Sequence, residues 1–235
     1  MSPNAKAKSK RERDQPFYLQ KRPYLLLDQE PLPVTVVLST IDSRAWFTEK
    51  FVLPSIRSNA PAQTVVVSDS EMTIQQKRNY GLEQAESEFI FFCDDDVILP
   101  ADHLRRLVAA LEERDERFAF AYTDYQGVVL EPDSHPRGEN YYVRARPFES
   151  EQLRRGNYVS MMSLVRRRLC PKFDETLPRY QDWDIWLTLV ERGHEGVYVP
   201  DTGFFAFYLD SGITSSEEVR KTAREMIERK HRLKR

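Results

Sequence analysis

Residues 89–100 read Phe89-Ile90-Phe91-Phe92-Cys93-Asp94-Asp95-Asp96-Val97-Ile98-Leu99-Pro100, five apolar residues running straight into three aspartates. An apolar run this short, bounded by turn signals, suits a strand buried on both faces. Similar runs stand at 34–38, ending in Ser39-Thr40; at 64–67, ending in Ser68-Asp69-Ser70; and at 118–122, reaching Asp124. Helical patterns fall between them. Residues 44–58 should bury Trp46, Phe47, Phe51, Val52 and Ile56, with Pro54 kinking or splitting the helix. A second helix is expected over 72–84. Leu104, Leu107, Val108 and Leu111 recur at i, i+3, i+4 and i+7, a third amphipathic helix. This alternation predicts an α/β domain with right-handed crossovers and a mostly parallel sheet.

The second half is less regular. Residues 126–150 read as loop, 158–165 as strand, 182–192 as helix and 196–199 as strand. A last helix is expected over 215–233, with Glu217 and Glu218 in its first turn and basic residues at its end, as the helix dipole favours. Residues 1–33 form a basic arm followed by a proline-rich extended lead-in, 34–214 the folded domain, and 215–235 a basic terminal segment.

The net charge of −2 is divided unevenly: +3 over residues 1–14, +4 over 215–235, and −9 between them. An acidic body with basic ends does not suit a nucleic-acid binder, whose positive charge should lie across the folded face. The final helix suits either shallow contact with an anionic membrane surface or packing of one stripe on the domain. No apolar run is long enough to span a bilayer, and the amino terminus is not a secretory signal. Cys93 and Cys170 make no disulfide framework, so a reducing, cytoplasmic setting is expected, with peripheral contact at the inner membrane face.

In an open parallel sheet, ligands bind beyond the carboxyl ends of the strands. Four consecutive strand ends here carry carboxylates: Asp42, Asp69, the triplet Asp94–Asp96, and Asp124. Three adjacent aspartates repel one another unless neutralised. A hard divalent cation, Mg²⁺ or Mn²⁺, held by one or two carboxylates plus phosphate oxygens, would do so. The chain has neither GxxxxGK[ST] nor GxGxxG, so phosphate charge must be met by the metal and by side chains such as Lys77 and Arg78.

Several blocks carry a family resemblance: Val36-Val37-Leu38-Ser39-Thr40, Val66-Val67-Ser68-Asp69-Ser70, Lys77-Arg78-Asn79-Tyr80-Gly81, the aspartate triplet in its strand, Gly156-Asn157, Phe173-Asp174-Glu175, and Gln181-Asp182-Trp183-Asp184. From about residue 35 to 208 the chain resembles a family 2 inverting glycosyltransferase of GT-A fold. The resemblance implies a nucleotide-sugar-binding half over 34–124 and an acceptor half over 125–214. Asp94 and Asp96 match the DxD motif, whose divalent ion holds the donor diphosphate. Thr40, Asp42, Asp69, Arg78 and Asp95 match donor-binding positions. Asp182 matches the general base that deprotonates an acceptor hydroxyl on a glycan, lipid-linked or protein acceptor, with a UDP-sugar favoured as donor. Gln181 stands where the family usually has Glu. Asp210 lies near the place of a metal-contacting His and is a candidate substitute.

Two other readings compete. A haloacid-dehalogenase-like phosphohydrolase also uses a DxD motif, but after its first strand and with Thr or Val where Ile98 stands. A catalytically degenerate transferase domain would serve as a binding or scaffold module.

Overall fold

The computed structural model describes residues 30–131, 138–209 and 216–233; the basic arm and Asp210 lie outside the described residues. Strand β1 (Leu32–Ser39) is followed by an irregular helical segment, α1, made of Asp42–Arg44, Ala45–Phe47, Thr48–Val52 and Leu53–Arg57. Then come β2 (Pro61–Val67), α2 (Ile74–Gln84), β3 (Phe89–Asp94), β4 (Val97–Ile98), α3 (His103–Glu112) and β5 (Phe118–Val129). The remainder is β6 (Tyr141–Val143), α4 (Ser150–Arg155), β7 (Leu164–Arg166), α5 (Gln181–Glu191), β8 (Glu195–Tyr208) and α6 (Glu217–Lys230).

One sheet runs β2-β1-β3-β7-β5-β8-β4, with β6 added to β5. The α/β fold class stands, and the sheet is mixed, its long ladders parallel and its short ones antiparallel. β1 pairs parallel with β2 and β3, and β5 with β8, whereas β7, β4 and β6 all pair antiparallel. Antiparallel β7 inserts between β3 and β5, so the fourth run at 118–122 does not continue the parallel series. β7 is three residues long and carries little sequence signal; the expected strand over 158–165 shrinks to Leu164–Arg166. The residues before it form a loop whose Val159 carbonyl accepts from the Trp186 indole at 3.1 Å.

β3 is buried along its apolar length, as the unbroken run at 89–93 requires. Gly81 lets α2 lie against β1: a Cβ there would overlap the Val37 side chain. That close approach carries the next-door residues Lys77 and Arg78 to the carboxyl edge of the sheet.

α1 departs from the expected pattern in a specific way. Its turn at Thr48–Val52 is a π-helical one, closed by Leu53 N–H to the Thr48 carbonyl. Pro54 has no N–H and its ring crowds the carbonyl four residues back, so the preceding turn widens. In a π turn, residues five apart share a face, and Phe47 and Val52 are the buried pair. Phe51 is displaced to the edge and Trp46, 59% exposed, lies on the surface. Both had been expected inside.

The final helix packs one stripe on the domain: Ala223 and Ile227 are fully buried, with Met226 and Leu233 against the core. Its apolar residues are thereby used within the fold. Among the described residues no helix is long and apolar enough to cross a membrane.

Candidate active site

Parallel pairing in register brings three strand ends level, Ser39 lying beside both Val67 of β2 and Asp94 of β3. The chain leaves β1 with Thr40 N–H bonded to the Val67 carbonyl at 3.0 Å. One sheet edge therefore presents Thr40, Asp69 and the aspartate triplet together.

The three aspartates do different things. Asp94, with a side chain 34% exposed, accepts from Arg78 Nη2 at 2.8 Å. Asp96, 28% exposed, accepts from Arg44 Nη1 at 3.0 Å. Asp95 is turned into the protein: one carboxylate oxygen takes Arg44 Nη1 at 2.6 Å and the other the Ile41 N–H at 3.2 Å. The expected donor contact of Asp95 does not fit this arrangement, since both its oxygens are occupied and it is 5% exposed. Alternation along the chain puts the outer two carboxylates on the crevice side and the middle one beneath them. Burial pushes the Asp96 carboxyl up to about 7, with repulsion from Asp94 and Asp95 adding to it and Arg44 opposing it.

The other residues expected at the donor site are spread in depth. The Thr40 hydroxyl is buried against that of Thr48 at 3.1 Å, and its carbonyl accepts from Lys77 Nζ at 2.6 Å. Lys77 is thus a buried brace for the β1 turn and not a free phosphate ligand. Asp42 is exposed at the start of α1. Asp69, also exposed, accepts the Glu71 N–H at 2.8 Å, closing a turn. Arg78 lies over the Phe173 ring at 5.5 Å, and Asn79 fixes that residue by exchanging bonds with its backbone at 2.7 and 3.0 Å. Two buried polar atoms at this edge lack any partner: Arg78 Nε and Ser39 Oγ. Unsatisfied buried donors are rare, and their presence beside the triplet marks a place for an acceptor-rich ligand.

Asp182 comes from the other half of the chain. It stands in the first turn of α5, where one oxygen accepts the Trp183 N–H at 2.8 Å and the other the Asn157 amide at 2.7 Å. Tyr180, just before the helix, has left-handed backbone (φ +63°), a costly conformation for a residue with a side chain. Burial raises the Asp182 carboxyl above its usual range, with the Trp183 N–H and the charge of Arg78 opposing the rise. Arg78 is thus paired with Asp94, and its charge is also felt at Asp182. Asp184 faces away: 2% exposed, it is held by His231 Nε2 at 2.7 Å and Lys230 Nζ at 2.9 Å. Trp183 and Trp186 are both core, the latter stacked on Phe120 at 4.7 Å. Asp124 is buried away from the strand ends, holding Tyr142, Tyr198 and the Ala145 N–H at 2.6, 2.9 and 2.7 Å.

Asp94 and Asp96 each keep one carboxylate oxygen outside these ion pairs, which fits a cation completed by phosphate oxygens. Among the described residues no group of three or more His, Cys, Asp or Glu side chains is arranged to hold a metal. Arg44 and Asn157 were not foreseen as site residues. Asn157 stood in the quoted Gly156-Asn157 block; Arg44 had no signal beyond its position at the start of a helix.

The sequence model described as "Glycosyl transferase family 2" matches residues 60–173, a span that includes Asp69, Arg78 and Asp94–Asp96 but not Thr40, Asp42 or Asp182. A Bacillus subtilis (strain 168) protein named as the uncharacterized glycosyltransferase YwdF is 27% identical over 158 residues, 65% of this chain and 57% of that protein. Solved structures of S. aureus TarS 1-349 share the fold. The complex with UDP has a TM-score of 0.60 at 15% identity, covering 83% of this chain and 64% of that one. The complex with UDP-GlcNAc has a TM-score of 0.58 at 16% identity, covering 83% and 65%. The chain therefore spans less than two thirds of the length of these relatives. Matched by the family model through the segment that builds its crevice, and similar in fold to TarS 1-349, the chain resembles glycosyl transferase family 2.

Proposed function

We propose that the chain transfers a sugar from a nucleotide-sugar donor to an acceptor hydroxyl with inversion at the anomeric carbon. The observation that carries this reading is the Arg78–Asp94 ion pair at the end of β3, with the charge of Arg78 also felt at the half-buried carboxylate of Asp182. A donor diphosphate lying at the strand ends would meet the unpartnered Arg78 Nε and Ser39 Oγ, with Asp69 and Thr40 bordering the nucleoside. UDP is the favoured nucleotide, because the structurally similar TarS 1-349 was solved with UDP and with UDP-GlcNAc. A divalent ion, Mn²⁺ or Mg²⁺, held by Asp94 and Asp96 would neutralise charge on the departing diphosphate.

Asp182 takes the proton from the acceptor hydroxyl. Its burial makes it a stronger base than a solvated carboxylate, and Asn157 fixes its orientation. The oxygen so activated forms the new glycosidic bond as the bond to the diphosphate breaks. Gln181, in place of a second carboxylate, leaves Asp182 without a like charge directly before it. The phosphohydrolase reading loses its support, since the aspartate triplet ends the third strand in the chain and lies within the family match.

The test is thermal stability with UDP, GDP and dTDP, each with and without Mn²⁺, followed by turnover of the sugar donor that fits. A ligand that binds only the native state raises the melting temperature. We expect a metal-dependent shift with UDP that Asp96→Ala abolishes. Asp182→Asn should keep that shift and lower turnover by roughly 10²–10⁴-fold. No shift with any nucleotide in folded protein overturns the donor reading. Binding without turnover in the wild type leaves a scaffold.

A further inference from the structure

Asp94, Asp95 and Asp96 bring three negative charges to one strand end, and two guanidinium groups already answer them. Arg78 bonds Asp94. Arg44 is the less usual of the two, because a single nitrogen, Nη1, reaches Asp95 at 2.6 Å and Asp96 at 3.0 Å. Arg44 is itself buried, so this charge is poorly screened by solvent. It is fixed at short range: its own N–H bonds the Ile41 carbonyl at 3.0 Å, and Ile41 N–H bonds Asp95. The β1–α1 turn and the aspartate triplet thus form one closed unit. With both arginines counted and all three carboxylates ionised, the triplet presents a net charge of only −1 to the crevice.

We propose that Arg44 is a resident counter-cation of the acidic triplet, which positions Asp96 and keeps the affinity of the site for a bare divalent ion low. Uptake of the ion then depends on the diphosphate that accompanies it, so ion and nucleotide enter together. This rests on the donor reading above. Two opposing effects follow from the charge. Removing Arg44 makes the site more negative by one unit, which favours a lone cation. The same change disfavours an anionic nucleotide and frees Asp96 to leave its position.

The experiment uses the full chain and two probes, Mn²⁺ alone, followed by the loss of its free-ion paramagnetic resonance signal, and UDP titrated at saturating Mn²⁺. In Arg44→Gln, Mn²⁺ alone should bind at least about tenfold tighter and UDP at least about tenfold weaker, tenfold being the lower bound for one poorly screened charge. The double variant Arg44→Gln/Asp95→Asn restores the original net charge without touching Asp94 or Asp96, and removes the buried carboxylate that could stop the single variant from folding. In it, affinity for Mn²⁺ alone should return to within about twofold of wild type, because the charge balance is the same. Weakening of both probes in Arg44→Gln overturns the proposal and leaves Arg44 as a structural brace. So does bare-ion binding that stays unchanged, or that stays tight in the double variant. If wild-type protein binds no UDP, the donor reading fails, and the bare-ion comparison still decides the role of Arg44.

Discussion

His103 opens α3 with its ring fully buried between Phe91 and Phe204, at centroid distances of 5.9 and 6.1 Å. Neither ring nitrogen has a hydrogen-bond partner. Burial lowers the imidazole from 6.5 to about 4, more than the nearby Asp102 and the Gly203 backbone can offset; the latter is close but makes no well-formed bond. The ring is therefore neutral in the folded protein at pH 7 and carries no protonation penalty there. Once the pH falls below 6.5 the unfolded chain takes up a proton that the folded chain refuses, so stability drops, and the loss is complete near pH 4. Linkage puts the loss at about 2 kcal/mol at pH 5 and about 3 kcal/mol at pH 4. With a urea slope of about 2 kcal/mol per molar, the midpoint should fall by about 1 M between pH 7 and pH 5 from this group alone. His103→Leu keeps the volume and removes the titration. Urea unfolding of both proteins at pH 7 and pH 5 isolates the term, because all other groups titrate alike. A midpoint drop of equal size in the two proteins would refute the argument.

Gly81→Ala drives a methyl into Val37 and should cost about 1–3 kcal/mol, measured by denaturant unfolding, with Val37→Ala in the same chain recovering part of the loss. His231→Ala removes one partner of the buried Asp184 and should cost about 3 kcal/mol, the lower end for a broken buried pair because Lys230 remains. Trp186→Ala, in the core, should cost about 3–5 kcal/mol, whereas Trp46→Ala on the surface should stay within about 0.5 kcal/mol; a similar cost at both would contradict the widened turn in α1.

Local pattern made the carboxylate-bearing edge of the sheet legible. The run at 89–93 could only be a doubly buried strand, and the aspartates after it could only stand at its carboxyl end. The helix beginning near Asp182 was equally plain, although its first residue is Gln181 and its cap position Tyr180. What escaped depended on partners far away in the chain. Arg44 acquires its meaning from carboxylates some fifty residues later, and Asn157 from one 25 residues later. Lys77 was misjudged for the same reason: its amine goes to the carbonyl of Thr40, which no spacing within α2 announces. β7 and β4 are too short for periodicity to register, and their pairing makes the sheet mixed. Phe51 and Trp46 moved because one proline changed the helical period around them.

The tie between α6 and α5 also bears on how the chain acquires its structure during synthesis. Asp184 is sealed in the interior and answered by Lys230, the last residue of α6, and His231, the residue that caps it. A ribosome that has released α5 but not yet these residues holds a chain with a carboxylate that cannot be buried at its final position without a counter-charge. The start of α5, with Asp182 on it, therefore docks late, after β1, β2 and β3 have had time to assemble from consecutive sequence. In vectorial folding, the edge that carries the aspartate triplet is built first, and the proposed base on α5 is locked in near the end.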